Sequence, residues 1–358
     1  MSAGITYAIT FAIALVVVLV ATPLVVRLAT HLGVIDATDE ERRVHAVPTP
    51  RIGGLAVFFG FAFALFVVLG FALSSPYALF PSILHLGVQQ KLEAVNDQFS
   101  AAHRLVGLLF GSMLILGVGM WDDIMQLRSR NKFIAQIVVA LISMLYGFII
   151  PGVTNPFVHS AANNWIDFPI WIGIPLTLVW YVGMMNAINF IDGLDGLLSG
   201  VTVIASLYLF AIAVLHANPT VALVVVALAG AALGFLPYNF NPAKIFLGDA
   251  GSLFIGYVFA TVSIIGASKT AIAVSVVVPL LVLALPVLDT AAVIFRRARA
   301  GKSITQADRG HFHHQLIFRF GLNVRQAVLL IYALCVVLGA LGLTFSGEFT
   351  HVFNHAVR

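Results

Sequence analysis

The chain has 358 residues, of which 60% are hydrophobic and only 9% are charged. An ordinary soluble domain carries about 25% charged residues, so this composition excludes a soluble protein and predicts an integral membrane protein. The formal net charge of +4 is explained by loop topology and by contact with anionic lipid head groups, and it gives no reason to expect nucleic acid as a partner.

Ten apolar windows along the chain have the length needed to cross a bilayer core. They are Ile5–Val26, Leu55–Leu73, Leu105–Met120, Phe133–Ile150, Ile170–Met185, Leu198–Leu215, Val221–Leu236, Leu253–Ala267, Ala271–Phe295 and Ala327–Phe345. Unpaired backbone amides are costly in lipid and the alternating pattern of a membrane barrel is absent, so we expect an all-α fold of about ten transmembrane helices. The sequence predicts a single membrane domain over residues 1–358, and we expect the first helix to be retained, because no basic residue precedes it.

The distribution of Lys and Arg predicts the orientation of these helices, because basic residues concentrate in cytoplasmic loops. Only Lys91, Arg104, Lys269 and Arg358 lie on the side of the even-numbered loops. The loops after odd-numbered helices hold Arg27, Arg42, Arg43, Arg51, Arg128, Arg130, Lys132, Lys244, Arg296, Arg297, Arg299, Lys302, Arg309, Arg319 and Arg325. Both termini are therefore expected outside. All the polar motifs described next fall in the odd-numbered loops, so they are expected at the cytoplasmic face.

Asp122 and Asp123 follow the third apolar window directly. An adjacent carboxylate pair can bind a divalent cation, or one member can act as a base while the other orients it. The alternative is a solvated helix end, but two acids at a helix C-terminus oppose the macrodipole and need compensation. Lys132, at the start of the next window, can supply that compensation or hold a phosphate.

Polar residues recur at every third position where the fifth window ends. They are Asn186, Asn189, Asp192 and Asp195. On a helix end this spacing gathers the four side chains on about one face, which suits hydrogen bonding to the sugar and base of a nucleotide. The alternative is a turn rich in Asn, Asp and Gly between two helices.

A glycine-bracketed loop, Phe246 to Ser252, leads into the eighth window and follows Asn239 closely. Asp249 in this loop is either part of the N-cap region of the following helix or a metal ligand beside it. Phe246 can stack on a base, although a Phe near a membrane surface is often an interfacial anchor.

Two basic motifs complete the set. Arg51 lies in a basic, proline-rich stretch, Arg42–Gly54, and a late loop reads Arg309-Gly310-His311-Phe312-His313-His314. The histidines lack the ligand spacing of a structural zinc site, and the only cysteine, Cys335, lies in the last window. Histidines in a basic loop fit anion binding better, here to a diphosphate or to sugar oxygens.

Together these ordered motifs resemble the polyprenyl-phosphate N-acetylhexosamine-1-phosphate transferase family, glycosyltransferase family 4, over essentially the whole chain. The pattern Arg43-Val44-His45-x-x-Pro48-x-Pro50-Arg51-x-Gly53-Gly54 and the His-x-His-His motif at 311–314 look like the N-acetylglucosamine branch. Lipid I enzymes, the phospho-N-acetylmuramoyl-pentapeptide transferases, more often carry a Thr-Pro-Thr-Met-Gly-Gly type sequence and three consecutive histidines, so that substrate is the alternative.

The resemblance implies transfer of GlcNAc-1-phosphate from UDP-GlcNAc to polyprenyl phosphate in the cell membrane, with Mg²⁺ as cofactor and Mn²⁺ as a substitute. A homodimer is left open. The resemblance implies that Asp122 and Asp123 form the catalytic pair, with Asp122 the preferred base, and that Asp249 binds Mg²⁺. It implies that the nucleoside is contacted by Asn189, Asp192 and Asp195, and that uracil lies near Asn239 and Phe246. It also implies that phosphates are contacted by Lys132, His313 and His314, and that Arg309 lies in the sugar region. Arg51, Asn186 and His311 are also predicted as substrate-binding residues.

Two other classes compete with this interpretation. A transporter predicts acids near the bilayer midplane and broken helices in paired positions, whereas the acids here cluster at one face. A CDP-alcohol phosphotransferase also uses Asp-Gly clusters, but its Asp-Gly-x-x-Ala-Arg pattern is missing around Asp192 and Asp195.

Overall fold

A computed structural model describes residues 3–36, 48–74, 88–154, 165–266, 299 and 316–356. Within these residues the long helices are α1 (Ala3–Leu32), α2 (Gly54–Ser74), α3 (Val88–Met125), α4 (Ser129–Leu145), α5 (Ile170–Ile191), α6 (Leu197–Leu215), α7 (Pro219–Asn239), α8 (Gly248–Gly266) and α9 (Val324–Ala356). Two short antiparallel strand pairs join Ile35–Asp36 to Thr49–Pro50 and Gly152–Thr154 to Trp165–Asp167.

In the described part of the chain, 8 helices are long and apolar enough to cross a membrane. They coincide with all the predicted windows except the fourth and the ninth, which confirms a helical, multi-pass membrane protein. The fourth window, Phe133–Ile150, overlaps α4, a helix of 17 residues. The ninth, Ala271–Phe295, lies outside the described residues, so the total of ten and the orientation of the termini stay predictions.

Successive helices alternate in direction, so the C-terminal ends of α3, α5 and α7 meet the N-terminal ends of α4, α6 and α8 at one end of the bundle. The hydrogen bonds described below join these ends directly. The prediction that the polar motifs share one face is therefore confirmed for those that the structure describes. This distribution is the one expected for chemistry at a membrane surface.

Helix α8 lies at the centre of the fold, and 89% of its membrane-crossing window is buried. It packs against α2, α3 and α5. Gly119 of α3 allows a close approach, because a side chain there would overlap the backbone of Ala250 at the start of α8. Further along α8, the Tyr257 hydroxyl shares a hydrogen bond of 2.8 Å with Ser143 of α4. Helix α8 is therefore packed closely among its neighbours, and it carries Asp249 in its first turn.

Candidate active site

Lys132 at the start of α4 joins two carboxylates from different helices. Its Nζ forms ion pairs with Asp122 Oδ2 at 3.2 Å and with Asp249 Oδ2. The three side chains keep 15 to 17% of their surface exposed, so they lie below the surface but remain accessible. Asp122 Oδ1 also accepts a hydrogen bond from the Leu127 amide at 2.8 Å. For Asp122, the compensation predicted at the end of α3 is therefore present and comes from Lys132.

Asp123 has different surroundings from its neighbour. Its two oxygens accept the backbone N–H groups of Asp249 at 2.9 Å and of Ala250 at 3.0 Å, and the residue is only 8% exposed. The first N–H groups of a helix have no partner within the helix, so Asp123 satisfies the N-terminus of α8 from another helix. Gly248, with φ +70°, precedes this contact, and a side chain there would overlap the Asp123 carboxylate. Asp249 thus lies in the first turn of α8 and is itself held by a cap.

Asn189 on α5 bonds to the other side of Asp249. Its Nδ2 donates to Asp249 Oδ1 at 2.9 Å and to Ser252 Oγ at 2.7 Å. One turn earlier, Asn186 Nδ2 donates to Gln136 Oε1 of α4 at 2.6 Å and to the Val182 carbonyl at 2.8 Å. Asp249 is consequently surrounded by groups from α3, α4 and α5.

The expectation that Asn186, Asn189, Asp192 and Asp195 share one helix face is wrong. Helix α5 ends at Ile191, so Asp192 and Asp195 lie on the following turn and only the two asparagines share the face. The Asp192 N–H donates to the carbonyl of Asn189, three positions earlier, at 3.3 Å, which is the bond of a turn and not of an α-helix. The turn separates the two halves of the motif.

The half-buried carboxyl of Asp192 lies outside the membrane-crossing helices. Burial raises the pKa of Asp192 to about 8, the negative charges of Asp249 and Asp123 add to the rise, and the positive charge of Arg51 opposes it. These charges act on Asp192 from α8, α3 and the stretch before α2. In the structure as described, this group therefore keeps its proton at neutral pH.

Asp195 and Asn239 bond to the loop between α7 and α8. Asp195 Oδ2 accepts from Asn241 Nδ2 at 2.9 Å and from the Ala243 N–H at 3.0 Å. Asn239 accepts from Ser199 Oγ at 2.6 Å and donates to the Ile245 carbonyl at 3.0 Å. Both residues are 2% exposed. This geometry favours a role in shaping the loop, and direct contact with a substrate stays a prediction.

Arg51 and Phe246 are brought next to each other by backbone pairing. The Phe246 N–H donates to the Pro50 carbonyl at 2.8 Å, and the Gly53 N–H donates back to the Phe246 carbonyl at 2.9 Å. Both residues are partly exposed beside the start of α8. The described end of the basic stretch, with Arg51, therefore reaches the same site, as predicted.

Arg309, His311, His313 and His314 lie outside the described residues, so their predicted contacts with phosphate or sugar stay predictions. The helix that follows them, α9, does reach the site's loops. Arg325 Nε donates to the Asn241 carbonyl at 2.9 Å, and the Tyr332 hydroxyl donates to the Gly196 carbonyl.

A model of glycosyl transferase family 4 matches residues 105–267, a range that contains Asp122, Lys132, Asn189 and Asp249. A probable undecaprenyl-phosphate N-acetylglucosaminyl 1-phosphate transferase of Bacillus subtilis is 34% identical over 313 residues, which cover 87% of this chain and 77% of the relative. The chain belongs to glycosyl transferase family 4. A decaprenyl-phosphate N-acetylglucosaminephosphotransferase of Mycobacterium tuberculosis is 35% identical over 337 residues, with 87% of this chain and 76% of the relative covered.

Relatives from the other branch of family 4 match less of the chain. A phospho-N-acetylmuramoyl-pentapeptide-transferase of Listeria monocytogenes is 34% identical over 239 residues, which cover 62% of this chain and 69% of the relative. Identity is similar in both comparisons, but the N-acetylglucosamine enzymes align over a longer part of the chain. This difference agrees with the branch that the motifs before α2 and at 311–314 predict.

The site of this family 4 member includes residues that the motifs did not single out. Gln136 is four positions after Lys132, which places both on one face of α4, and a lone amide in an apolar helix is the signal that could have found it. Ser252 was part of the glycine-bracketed loop but had no assigned role. Ser199 gave no signal, because Ser is an ordinary residue at a helix start.

The donor set around Asp249 fits a Mg²⁺ ion. Mg²⁺ prefers carboxylate oxygens and usually binds through one or two of them together with water and substrate phosphates. Asp249 and Asp122 supply such oxygens, and the Lys132 ammonium lies between them, where these charges attract a cation. Among the described residues no cluster of three or more His, Cys, Asp or Glu is placed to hold a metal ion.

Proposed function

We propose that this protein transfers GlcNAc-1-phosphate from UDP-GlcNAc to a polyprenyl phosphate such as undecaprenyl phosphate. An oxygen of the lipid phosphate forms a bond to the sugar-proximal phosphorus of the donor, and the bond from that phosphorus to UMP breaks. The products are polyprenyl-diphospho-GlcNAc and UMP. The reaction starts a lipid-linked cell-envelope polysaccharide at the cytoplasmic face of the plasma membrane.

The observation that carries this proposal is the position of the Asp122–Lys132–Asp249 cluster. It lies at the end of a bundle of membrane-crossing helices, and all three side chains are partly accessible. The acceptor's isoprenoid tail stays in the bilayer, whereas the nucleotide sugar is water-soluble. A reaction between them therefore needs charged groups where apolar helices end, and this cluster supplies them.

Asp122 is the better candidate for the base that receives a proton from the lipid phosphate. Asp122 is partly accessible and its Oδ2 contacts the Lys132 side chain, while Asp123 is buried and both of its oxygens are held by backbone N–H groups. A base must reach the group that it deprotonates, so the buried and fully bonded Asp123 is suited to hold α8 in position. Lys132 would then contact a phosphate oxygen of the donor or the acceptor.

Mg²⁺ would be held by Asp249, with Asp122 beside it, and would neutralise charge on the diphosphate as UMP leaves. Mn²⁺, which also binds carboxylate oxygens, is expected to substitute. Asn186, Asn189 and Asp192 would face the donor, and Arg51 and Phe246 would lie at its nucleotide end. UDP-GlcNAc, polyprenyl phosphate and membrane lipids are the proposed partners, and a homodimer is left open.

The experiment is a measurement of UMP release by purified protein in detergent with Mg²⁺, polyprenyl phosphate and a panel of UDP-sugars. UMP released from UDP-GlcNAc only when the lipid is present supports the proposal. Release from UDP-MurNAc-pentapeptide alone would assign the protein to the other branch. A folded protein that releases UMP from no donor would reject the transferase function and favour transport.

A further inference from the structure

Gln136 is a buried amide in an otherwise apolar part of α4. It is 0% exposed, and its Nε2 has no hydrogen-bond partner among the described residues. A buried donor without a partner costs stability, so an apolar side chain of the same length would be more stable at this position. Among the described residues, the single bond that the Gln136 side chain makes is the one it accepts from Asn186 Nδ2 at 2.6 Å.

The chemistry of the partners fixes which way both amides point. The Val182 carbonyl can only accept, so the atom of Asn186 that lies 2.8 Å from it must be the nitrogen. The second hydrogen of that nitrogen points to Gln136, which must therefore present its oxygen. This orientation leaves Gln136 Nε2 without a partner and turns Asn186 Oδ1 away from α4.

Asn189, one turn along the same face of α5, is oriented in the same way. Its Nδ2 donates to the carboxylate of Asp249 and to Ser252 Oγ, so both of its hydrogens are used. None of the described residues donates to Oδ1 of Asn186 or of Asn189, and both residues are partly exposed. Helix α5 thus carries two asparagines one turn apart, each with its side-chain nitrogen used and its side-chain oxygen left as an acceptor.

We infer that Gln136 is a positioning residue that locks Asn186 as a hydrogen-bond acceptor for the donor substrate. The matching group on the substrate is a hydroxyl or N–H of UDP-GlcNAc, and the inference rests on the function proposed above. Without Gln136, the Asn186 amide is held by the Val182 carbonyl alone and can rotate, so its oxygen no longer has a fixed direction. Gln136 acts through Asn186 and does not touch the substrate.

The test is the substitution Gln136→Met, which keeps the length of the side chain and removes the acceptor. We expect KM for UDP-GlcNAc to rise roughly five- to tenfold with kcat nearly unchanged, as for the loss of one uniform binding contact. The thermal unfolding midpoint is expected to stay equal or to rise, because the unpaired Nε2 is removed as well. A lower midpoint with unchanged KM would mean that Gln136 has only a structural role and would overturn the inference.

A double-mutant cycle with Asn186→Ala identifies the path of the effect. If Gln136 acts through Asn186, adding Gln136→Met to Asn186→Ala changes KM no further. Independent, additive effects would contradict the inference. Ser143→Ala is the matched control on α4, because Ser143 is equally buried but bonds to Tyr257, and it is expected to lower stability without changing KM.

Failure of this inference is distinguishable from failure of the proposed function. Both variants are compared with a wild-type protein that releases UMP from UDP-GlcNAc. An inactive wild-type protein would reject the function itself, whereas an active wild-type protein with an unchanged KM in Gln136→Met rejects only the role of Gln136.

Discussion

Lys132 and Asp249 form an ion pair across the bundle although they are 117 positions apart in the chain. The pair joins the start of α4 to the first turn of α8, and Asp122 at the end of α3 shares the same ammonium. Two carboxylates this close repel each other unless a cation lies between them. The Lys132 ammonium therefore offsets the repulsion between the Asp122 and Asp249 carboxylates.

Replacing Lys132 by Met is expected to lower the rate of UMP release by about a hundredfold or more, because a positioned charge on a phosphate is lost. The control is Arg130→Met, since Arg130 is an exposed cation only two positions away on the same helix. Its activity is expected to stay near that of the wild type. Equal losses in the two variants would show that general positive charge, and not the Lys132 contact, supports turnover.

The neighbouring carboxylates Asp122 and Asp123 are expected to respond differently to substitution. Asp122→Asn is expected to leave thermal stability nearly unchanged and to reduce turnover by about a hundredfold or more, the contribution typical of a general base. Asp123→Asn is expected to lower stability by about 1 kcal/mol, because an amide cannot accept both N–H groups at the start of α8.

Thermal unfolding and UMP release, measured on the same preparations, check this difference. An Asp122→Asn enzyme with normal turnover would remove Asp122 from the role of base. Normal stability of Asp123→Asn would mean that its bonds to α8 contribute little to the fold.

The grouping of Asp122, Lys132 and Asp249 could be predicted from sequence, because each lies next to an apolar window and the windows alternate in direction. The position of Asp195 could not, since the spacing of its motif is helical while α5 ends at Ile191. Whether a helix continues through Asp-Gly depends on tertiary contacts, here the bonds from Asp195 to the loop after α7. Gln136 was missed for a related reason, because its partner lies 50 positions away on another helix.

Replacing Asp249 by Asn is expected to raise the Mg²⁺ concentration for half-maximal activity by about tenfold or more, because one of the few charged oxygen ligands is lost. The measurement is UMP release over a Mg²⁺ titration. Ser252→Ala is a suitable control, because Ser252 accepts a hydrogen bond from Asn189, as Asp249 does, but carries no charge. A Mg²⁺ response identical to that of the wild type would reject Asp249 as a ligand.

The raised pKa of Asp192 predicts how stability depends on pH. The folded protein holds this proton up to about pH 8, whereas the unfolded chain releases it near pH 4. Between these values the folded state binds more protons, so this carboxyl lowers stability as pH rises. Asp192→Asn has no proton to release and is expected to gain stability over the wild type between pH 5 and pH 8.

Thermal unfolding of the wild type and of Asp192→Asn, in detergent with a chelator and at several pH values, tests whether Asp192 lowers stability as pH rises. The midpoint of Asp192→Asn is expected to exceed that of the wild type by an increasing margin at higher pH. Parallel curves over this range would mean that the folded state does not raise the pKa of Asp192.

The most direct measurement follows the phosphate that is transferred. UDP-GlcNAc labelled at its sugar-proximal phosphorus is incubated with the protein, polyprenyl phosphate and Mg²⁺, and the lipid is extracted. We expect the label to enter the lipid together with GlcNAc, with unlabelled UMP in the water phase. Label that stays in the water phase as UDP while GlcNAc enters the lipid would contradict the transfer of a phosphosugar.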